Sequence, residues 1–319
     1  MKKSIIAMAV AGALAVPAIA SADATLYGHV MMAVDKAKDQ KLLIGSQANA
    51  ESRIGVRGTA DTNIDGLTAL YNMEFGVRTT QTGYGDDADN AMRTRLANVG
   101  LTGDWGTMLL GTIAAPQNSW VTGTTDVMTS SVANNATDVD IFRVNNTAAY
   151  VSPNFNGFQF AAAVGASSEF GDKNADYYHV AAKYDAHGFY AAIGYIDVES
   201  TEFADGFLGN EDIKDTTSVA LGYDFGPATI GATYTHLRID GGANVKPWVL
   251  AGTYSVTDAT TLKATYADMR SSQKSWAVEA QHDLSNMVTT FVGYKYANTD
   301  AREAGTDNSV FSTGMRVRF

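Results

Sequence analysis

The sequence contains no cysteine, which excludes disulfide bridges and thiolate-bound metal sites. Basic residues are also few: 23 Lys and Arg stand against 34 Asp and Glu, and the net charge is −11. Nucleic-acid binding requires clustered cations that neutralise phosphates, so the composition argues against a nucleic-acid partner. Proline occurs only 5 times, whereas the chain has 30 Gly, 15 Tyr and 13 Phe. This mixture favours strands and turns over helices.

The sequence also lacks an apolar run long enough to cross a bilayer as a helix, which takes about 20 residues. Its longest apolar stretch, Ile5 to Ile19, follows two lysines and precedes the small residues Ala20-Ser21-Ala22. A charged start, a short apolar stretch and a small-residue cleavage site are the parts of a secretory signal peptide. We therefore expect residues 1–22 to be a cleaved signal peptide and residues 23–319 to form a single domain.

Apolar and polar residues alternate with a period of two through most of the remaining chain. In TSVALGYDFG, for example, Val219, Leu221 and Tyr223 fall on one face, and small or polar residues fall on the other. Segments of this kind run to about 10 residues, the length that a tilted strand needs to cross the hydrocarbon. Full charges stand in the middle of the polar faces: Lys263, Glu279, Asp283, Lys295 and Arg316. The pattern indicates strands with lipid on one face and water on the other.

The connections between these segments alternate in length. Short turns such as Asp224 to Thr229 alternate with long acidic loops such as Asp197 to Thr216. Counting both kinds gives about 16 strands, so we predict an all-β transmembrane antiparallel β-barrel. The first strand is Ala24 to Val34, and the last is the alternating stretch Val310 to Phe319. These two strands must pair, because only a closed barrel leaves no unpaired edge in lipid.

Three stretches resemble a known family: SRIGVRGTADTNIDGLTALYNMEFGV (52–77), TRLANVGLTGDWGTMLLG (94–111) and NNTAAYVSPNFNGFQFAAAVG (145–165). Together with the start LYGHV and the final Phe319, they are similar to the general trimeric porins of Gram-negative bacteria over nearly the whole mature chain. The resemblance implies a 16-stranded barrel with an inward-folded third loop, and passive diffusion of small hydrophilic solutes. It also implies a homotrimer in the outer membrane, contact with membrane lipid and lipopolysaccharide, and recognition by the barrel-assembly machinery through Phe319.

The longest stretch without a strand pattern, Ala114 to Asp140, lies between the fifth and sixth predicted strands. A loop of this length is commonly functional. From the residues alone, an external flap and a plug inside the barrel are equally compatible with the pattern. The resemblance implies that this stretch, which we call the inner segment, folds into the lumen and narrows it.

The resemblance also implies which residues border the narrowing. The basic wall would consist of Arg53, Arg95, Arg143 and His29, and the acidic side, on the inner segment, of Asp126, Asp138 and Asp140. The alternation places Arg53 on one face with Arg57, and Arg143 on one face with Thr147, whereas it is irregular around Arg95. Opposed charges across a narrow aqueous pore favour hydrated, dipolar solutes over apolar ones.

Two alternatives to a general diffusion channel stay open: a channel selective for a sugar or an anion, and a structural barrel with an occluded pore. The acidic composition favours a weak preference for cations. The histidines are scattered over different strands without a catalytic pattern, so we predict no enzyme activity and no cofactor (His29, His179, His187, His236 and His282). Asp86, Asp87 and Asp89 lack the glycine-anchored pattern of a Ca²⁺ loop, so we predict no metal site.

Overall fold

The computed structural model describes residues 24–45, 51–79, 92–133, 141–167, 174–199, 213–269, 272–305 and 307–319. The predicted signal peptide lies outside these ranges, as do the acidic loop at residues 86–89 and two predicted site residues, Asp138 and Asp140. Within the ranges, no helix is both long and apolar enough to cross a membrane. The same residues contain no group of three or more His, Asp or Glu side chains that could hold a metal ion.

The described residues form 17 strands, two short α-helices and one 3-10 helix, Thr122–Thr124. The strands join into one antiparallel sheet that closes on itself. The strands are β1 Thr25–Ala37, β2 Leu42–Gly45, β3 Ser52–Asp61, β4 Thr68–Val77, β5 Met92–Gly103, β6 Gly106–Ala114, β7 Arg143–Val151, β8 Phe158–Gly165, β9 Tyr177–Ala186, β10 Phe189–Val198, β11 Ile213–Asp224, β12 Ala228–Ile239, β13 Trp248–Ser255, β14 Thr260–Asp268, β15 Lys274–Asp283, β16 Val288–Ala297 and β17 Val310–Arg318. The α-helices are α1 Pro116–Trp120 and α2 Thr299–Glu303.

The barrel closes between its first and last strands. β1 pairs with β17 in a register that sets Met32 opposite Met315. Beyond the last paired residue, the Gly28 amide donates to the Phe319 carbonyl at 3.1 Å, and the Phe319 amide donates to the Gly28 carbonyl at 3.2 Å. On its other side, β1 pairs with β2 along one half and with β3 along the other, so β2 and β3 share one position. The barrel therefore has 16 strand positions, as predicted.

The two faces of the sheet follow the alternation in the sequence. In β11, Leu221 is 58% exposed on the outer face, whereas the neighbouring Ala220 is 2% exposed on the inner face. The same contrast recurs around the barrel, with large apolar side chains exposed outside and small or polar ones inside. In water such an outer surface would aggregate, so lipid is the solvent that fits it.

The two ends of the barrel differ in their connections. At one end the strands are joined by tight turns, such as His187-Gly188 between β9 and β10, where both residues have a positive φ. Two-residue turns of this kind match the twist of antiparallel strands. The other end carries the longer loops, and α2 lies in one of them, with the Asn298 side chain accepting from the Ala301 amide at its start. The sequence did not predict α1 or α2, because a five-residue helix shows no 3.6-residue period.

Candidate functional site

The inner segment begins with α1, which is seated against the inside of the barrel wall. Its first residue is Pro116, a residue favoured in the first helical turn because it has no amide hydrogen to leave unbonded. Trp120 is 1% exposed and packs with Val121 and small or apolar wall residues of β7 to β11: Val151, Ala161, Ala181, Tyr190, Ala192 and Ala220. The Lys183 ammonium lies 4.9 Å from the centre of the Trp120 ring. Trp120 therefore packs into the lumen wall.

Hydrogen bonds then fix the segment as it runs along the wall. The Gln117 amide donates to His179 Nε2 in β9 at 3.1 Å. Further on, the hydroxyls of Thr125 and Thr233, the latter in β12, are 2.9 Å apart. The segment thus lies inside the barrel rather than over its mouth, and the predicted inward fold is confirmed.

The tip of the segment is held by one carboxylate. Glu279 in β15 accepts hydrogen bonds from the amides of Thr129 and Ser130, both at 2.9 Å, and from the Ser130 hydroxyl at 2.6 Å. Lys263 in β14 pairs with the same carboxylate at 3.1 Å, and the Glu279 side chain has no exposed surface. Charge-assisted bonds of this kind are about twice as strong as neutral ones. Glu279 is therefore the main anchor of the tip.

A second lysine holds the segment beyond its tip. Lys295 in β16 donates to the Ala133 carbonyl at 2.7 Å and pairs with Asp307 at 2.6 Å. Ser131 donates to the Ser312 hydroxyl of β17 at 3.2 Å. The described part of the segment consequently contacts the wall from β7 round to β17. None of these contacts of residues 114–133 involves the wall of β1 and β3 to β5, which we call the open wall.

Arginines are concentrated on this open wall and beside it. We call the following residues the arginine cluster: Arg53, Arg93, Arg95, Arg143, Arg316 and Arg318. Two carboxylates from the same wall lie among them. Glu74 in β4 accepts from Arg95 Nε at 2.6 Å and lies 3.5 Å from Arg53 Nη1. Glu51 accepts from Arg93 at 2.7 and 2.9 Å and from Arg95 at 2.8 Å.

Glu51 precedes β3 and lies outside the spanning strands. Burial raises the pKa of its carboxyl, but the hydrogen bonds and charges of Arg93 and Arg95 lower it more, and the net pKa is below the ordinary value. The carboxylate is therefore ionised at neutral pH and fixes the two guanidinium groups. Three arginines share two glutamates here, which leaves net positive charge on the wall.

His29 lies between two members of the cluster. The register places it opposite Arg318 in β17 and opposite Arg53 in β3. Its Nε2 lies 3.1 Å from the Glu51 carbonyl oxygen. Arg316 stands opposite Met31, two residues further along β1. The structure thus brings the predicted residues Arg53, Arg95 and His29 together on one wall.

Two bulges explain where the alternation in the sequence breaks. Between β4 and β5, Glu74 pairs with Leu96 and Phe75 with Thr94, so Arg95 has no opposite residue. A bulge redirects a side chain in this way. A second register shift separates β6 and β7, and Val144, rather than Arg143, continues the buried inner face. The alternation in the sequence, which grouped Arg143 with Thr147, was therefore wrong. Arg143 nevertheless lies close enough to Arg95 and Arg53 for electrostatic interaction with both guanidinium groups.

The carboxylates at the narrowing differ more from the prediction than the arginines do. Asp126 is on the inner segment with an exposed side chain, within reach of the charges of Lys263 and Glu279. The carboxylates that bond to the arginines are instead Glu51 and Glu74, which the sequence analysis did not single out. A signal existed for Glu74, because it stands on the polar face of NMEFGV between Met73 and Phe75.

The fold and this geometry define a class: a lipid-facing barrel whose lumen is narrowed by an inner segment against a charged wall. The family model for Gram-negative porins matches residues 7–302, and the chain belongs to this family. The family is one of outer-membrane channel proteins rather than enzymes, and membership places the chain in the outer membrane.

Similar proteins agree with this assignment. The chain is 30% identical to the major outer membrane protein P.IB of Neisseria gonorrhoeae over 211 residues, which are 60% of this chain and 56% of that protein. The match thus spans little more than half of the relative's length. Two solved structures show the fold: an anion-selective porin from Comamonas acidovorans (TM-score 0.68, 19% identity, 94% and 100% of the two chains) and a trimer form of OmpT of Vibrio cholerae (0.65, 18%, 94% and 100%).

Proposed function

We propose that the chain is a water-filled channel for passive diffusion of small hydrophilic solutes and ions across the outer membrane. One observation carries this proposal: the described part of the inner segment packs on the wall from β7 to β17, and none of its contacts named above involves the arginine-bearing wall of β1 and β3 to β5. The lining is polar and charged, so hydrated solutes pass without losing their water to an apolar surface. The family and the outer-membrane location support the same function.

We also propose a preference for anions, which is the selective alternative to a general channel. The six members of the arginine cluster outnumber Glu51 and Glu74, and arginine stays charged at any physiological pH. An ion in the narrowing experiences these nearby charges more strongly than the distant acidic loops. The similar anion-selective porin from Comamonas acidovorans agrees with this proposal. The local charges therefore favour the opposite of the preference that overall composition suggested.

Conductance of the purified protein in a planar bilayer tests both proposals. We expect stepwise open conductance, no saturating block by sugars, and a zero-current potential of the anion-selective sign under a salt gradient. Saturating block by one solute would support a substrate-selective channel. A cation-selective potential would contradict the anion preference, and absence of conductance would contradict the channel itself.

We further propose that the chain forms a homotrimer through the outer face of β1 to β6. Among the described residues of these strands, the large exposed apolar side chains are all aliphatic or methionine, including Leu26, Val56, Met73, Val99 and Leu110. On β8 to β17, aromatic rings are frequent in the same outward positions: Phe158, Phe160, Tyr178, Tyr184, Phe189, Tyr223, Tyr234, Tyr254, Trp276, Tyr294, Tyr296 and Phe311. Aromatic girdles mark contact with the lipid interface. The outer face of β1 to β6 carries fewer rings, with Tyr71 and Phe75 half-buried on β4, and therefore suits contact with other copies of the chain.

Substitution of Met73 by tryptophan should dissociate the trimer, because the larger ring overpacks a protein interface but is tolerated in lipid. Leu250→Trp in β13 is the matched control, since Met73 and Leu250 are both 50% exposed on the outer face. Analytical ultracentrifugation in detergent measures the result. We expect monomers for Met73→Trp and trimers for Leu250→Trp. The same oligomeric state in both variants would place the interface elsewhere.

Three further assignments complete the proposal. Residues 1–22 act as the signal peptide that directs export. Lipid and lipopolysaccharide contact the aromatic-bearing outer face of β8 to β17. Phe319, whose backbone pairs with Gly28 where the barrel closes, is the element that the barrel-assembly machinery recognises.

A further inference from the structure

A histidine supplies one of the contacts that hold the start of the inner segment to the barrel wall, beside the packing of Trp120 and the hydrogen bond from the Tyr190 hydroxyl to the Trp120 carbonyl. His179 lies on the inner face of β9 and is 1% exposed. Its Nε2 accepts the amide hydrogen of Gln117 in α1 at 3.1 Å. Among the described residues, its Nδ1 has no hydrogen-bond partner.

This contact requires the neutral ring. Nε2 accepts only when it carries a lone pair, so the proton of the neutral imidazole is on Nδ1. A protonated ring carries hydrogen on both nitrogens, and its Nε2–H would then face the Gln117 N–H. Two donors facing each other cannot bond. Protonation therefore removes this anchor and replaces it by a repulsive contact.

The surroundings offer no counter-charge for a protonated ring. Ala163 in β8 and Ile196 in β10 flank His179 in the sheet, and both are buried. The closest charged side chain on the same face of β9 is Lys183, a like charge. The other titratable groups on the neighbouring elements have partners of their own: Tyr177 with Thr147, Asp176 with the Ser167 amide, Asp197 with Tyr195, and Asp215 with Arg238. A buried cation without a counter-charge costs free energy. Protonation of His179 at low pH is therefore expected to displace the groups packed around it.

We propose that His179 is an acid-sensitive anchor whose protonation releases the start of the inner segment into the open lumen and closes the channel. This proposal rests on the proposed channel function. Glu279 holds the tip of the segment independently of His179. Loss of the His179 contact therefore moves only the start of the segment, while the tip stays bound to the wall. The start of the segment can move only toward the arginine-bearing wall, because α1 is already packed against the wall on its other side.

Single-channel recording of the full-length mature protein from about pH 7 to about pH 4 tests the proposal. The wild type should close increasingly as the pH falls. His179→Gln keeps an uncharged acceptor oxygen near the position of Nε2 and cannot be protonated, so it should stay open over the same range. His282→Gln, at an exposed histidine of β15, should close like the wild type. Equal acid closure in His179→Gln and the wild type would overturn the proposal.

A second measurement follows the movement itself. Trp120, the last residue of α1, is buried against the barrel wall, whereas Trp105 and Trp276 are exposed on the outer surface, where detergent or lipid covers them. Acid should therefore raise quenching of Trp120 by aqueous iodide, identified by difference from Trp120→Phe, and His179→Gln should abolish the rise. Unchanged quenching of Trp120 in the wild type at a pH that closes the channel would also overturn the proposal. A protein without conductance at any pH contradicts the channel function, whereas a channel whose closure ignores His179 contradicts only this inference.

Discussion

Replacement of Arg53 and Arg95 together by serine is expected to raise the single-channel conductance and to shift the zero-current potential toward cations. Both side chains belong to the open wall opposite the inner segment, so their removal widens the passage. Arg95 also pairs with Glu74 at 2.6 Å and with Glu51 at 2.8 Å. Without it, both carboxylates lose a partner and contribute more negative potential to the lumen.

The size of the shift follows from Coulomb's law. At about 6 Å in water, one unit charge changes the energy of a passing ion by about 0.7 kcal/mol. Two charges then change the energy of a cation by about 1.4 kcal/mol and that of an anion by about 1.4 kcal/mol in the opposite sense. The ratio of cation to anion permeability therefore changes by about 2.8 kcal/mol, or about a hundredfold. Salt screens part of this, so the shift should be largest at low ionic strength.

Reversal potentials across a salt gradient, recorded at two ionic strengths, measure this effect. Arg238→Ser is the matched control, because Arg238 is on the outer face and pairs with Asp215 away from the lumen. The control should keep the wild-type potential and conductance. If the double variant also keeps both, Arg53 and Arg95 do not border the path of the ions.

The alternation of apolar and polar residues was sufficient to predict the barrel. Each outward position meets lipid and each inward one meets water or the inner segment, so the period of two is enforced along almost every strand. The pairing of β1 with β17 also followed, because lipid tolerates no open edge. The division of the second strand position between β2 and β3 was not predictable, since β2 is only four residues long and shows no alternation.

The site was less predictable because it departs from that regularity. The bulge at Arg95 and the register shift before Arg143 change which way a side chain points, and alternation cannot locate an extra residue. The pairing of Arg95 with Glu51 joins residues 44 positions apart that meet only after the sheet has formed. Lys263 and Glu279 were visible as charges on polar faces. The sequences of β14 and β15 contain no signal that the inner segment would bind to these two side chains.

Substitution of Glu279 by alanine is expected to detach the tip of the inner segment. The change removes three hydrogen bonds to Thr129 and Ser130 and leaves the Lys263 ammonium buried without its partner. Breaking a buried pair in this way costs about 3–5 kcal/mol. The equilibrium between seated and detached tip should then shift by more than about a hundredfold. Recordings should show frequent closures at voltages where the wild type stays open.

Because the chain has no native cysteine, one engineered thiol can report the position of the tip. In a Ser131→Cys background, Glu279→Ala should accelerate labelling by a water-soluble maleimide about tenfold or more, since Ser131 otherwise lies against Ser312. Glu279→Gln keeps one acceptor oxygen, so its labelling rate should lie between the rates of the Glu279→Ala and parent proteins. Glu303→Ala, at an exposed carboxylate of α2, should label at the parent rate. Equal labelling rates in the Glu279→Ala and parent proteins would show that the remaining contacts, above all that of Lys295 with Ala133, are enough to seat the segment, and that the buried carboxylate is not its main anchor.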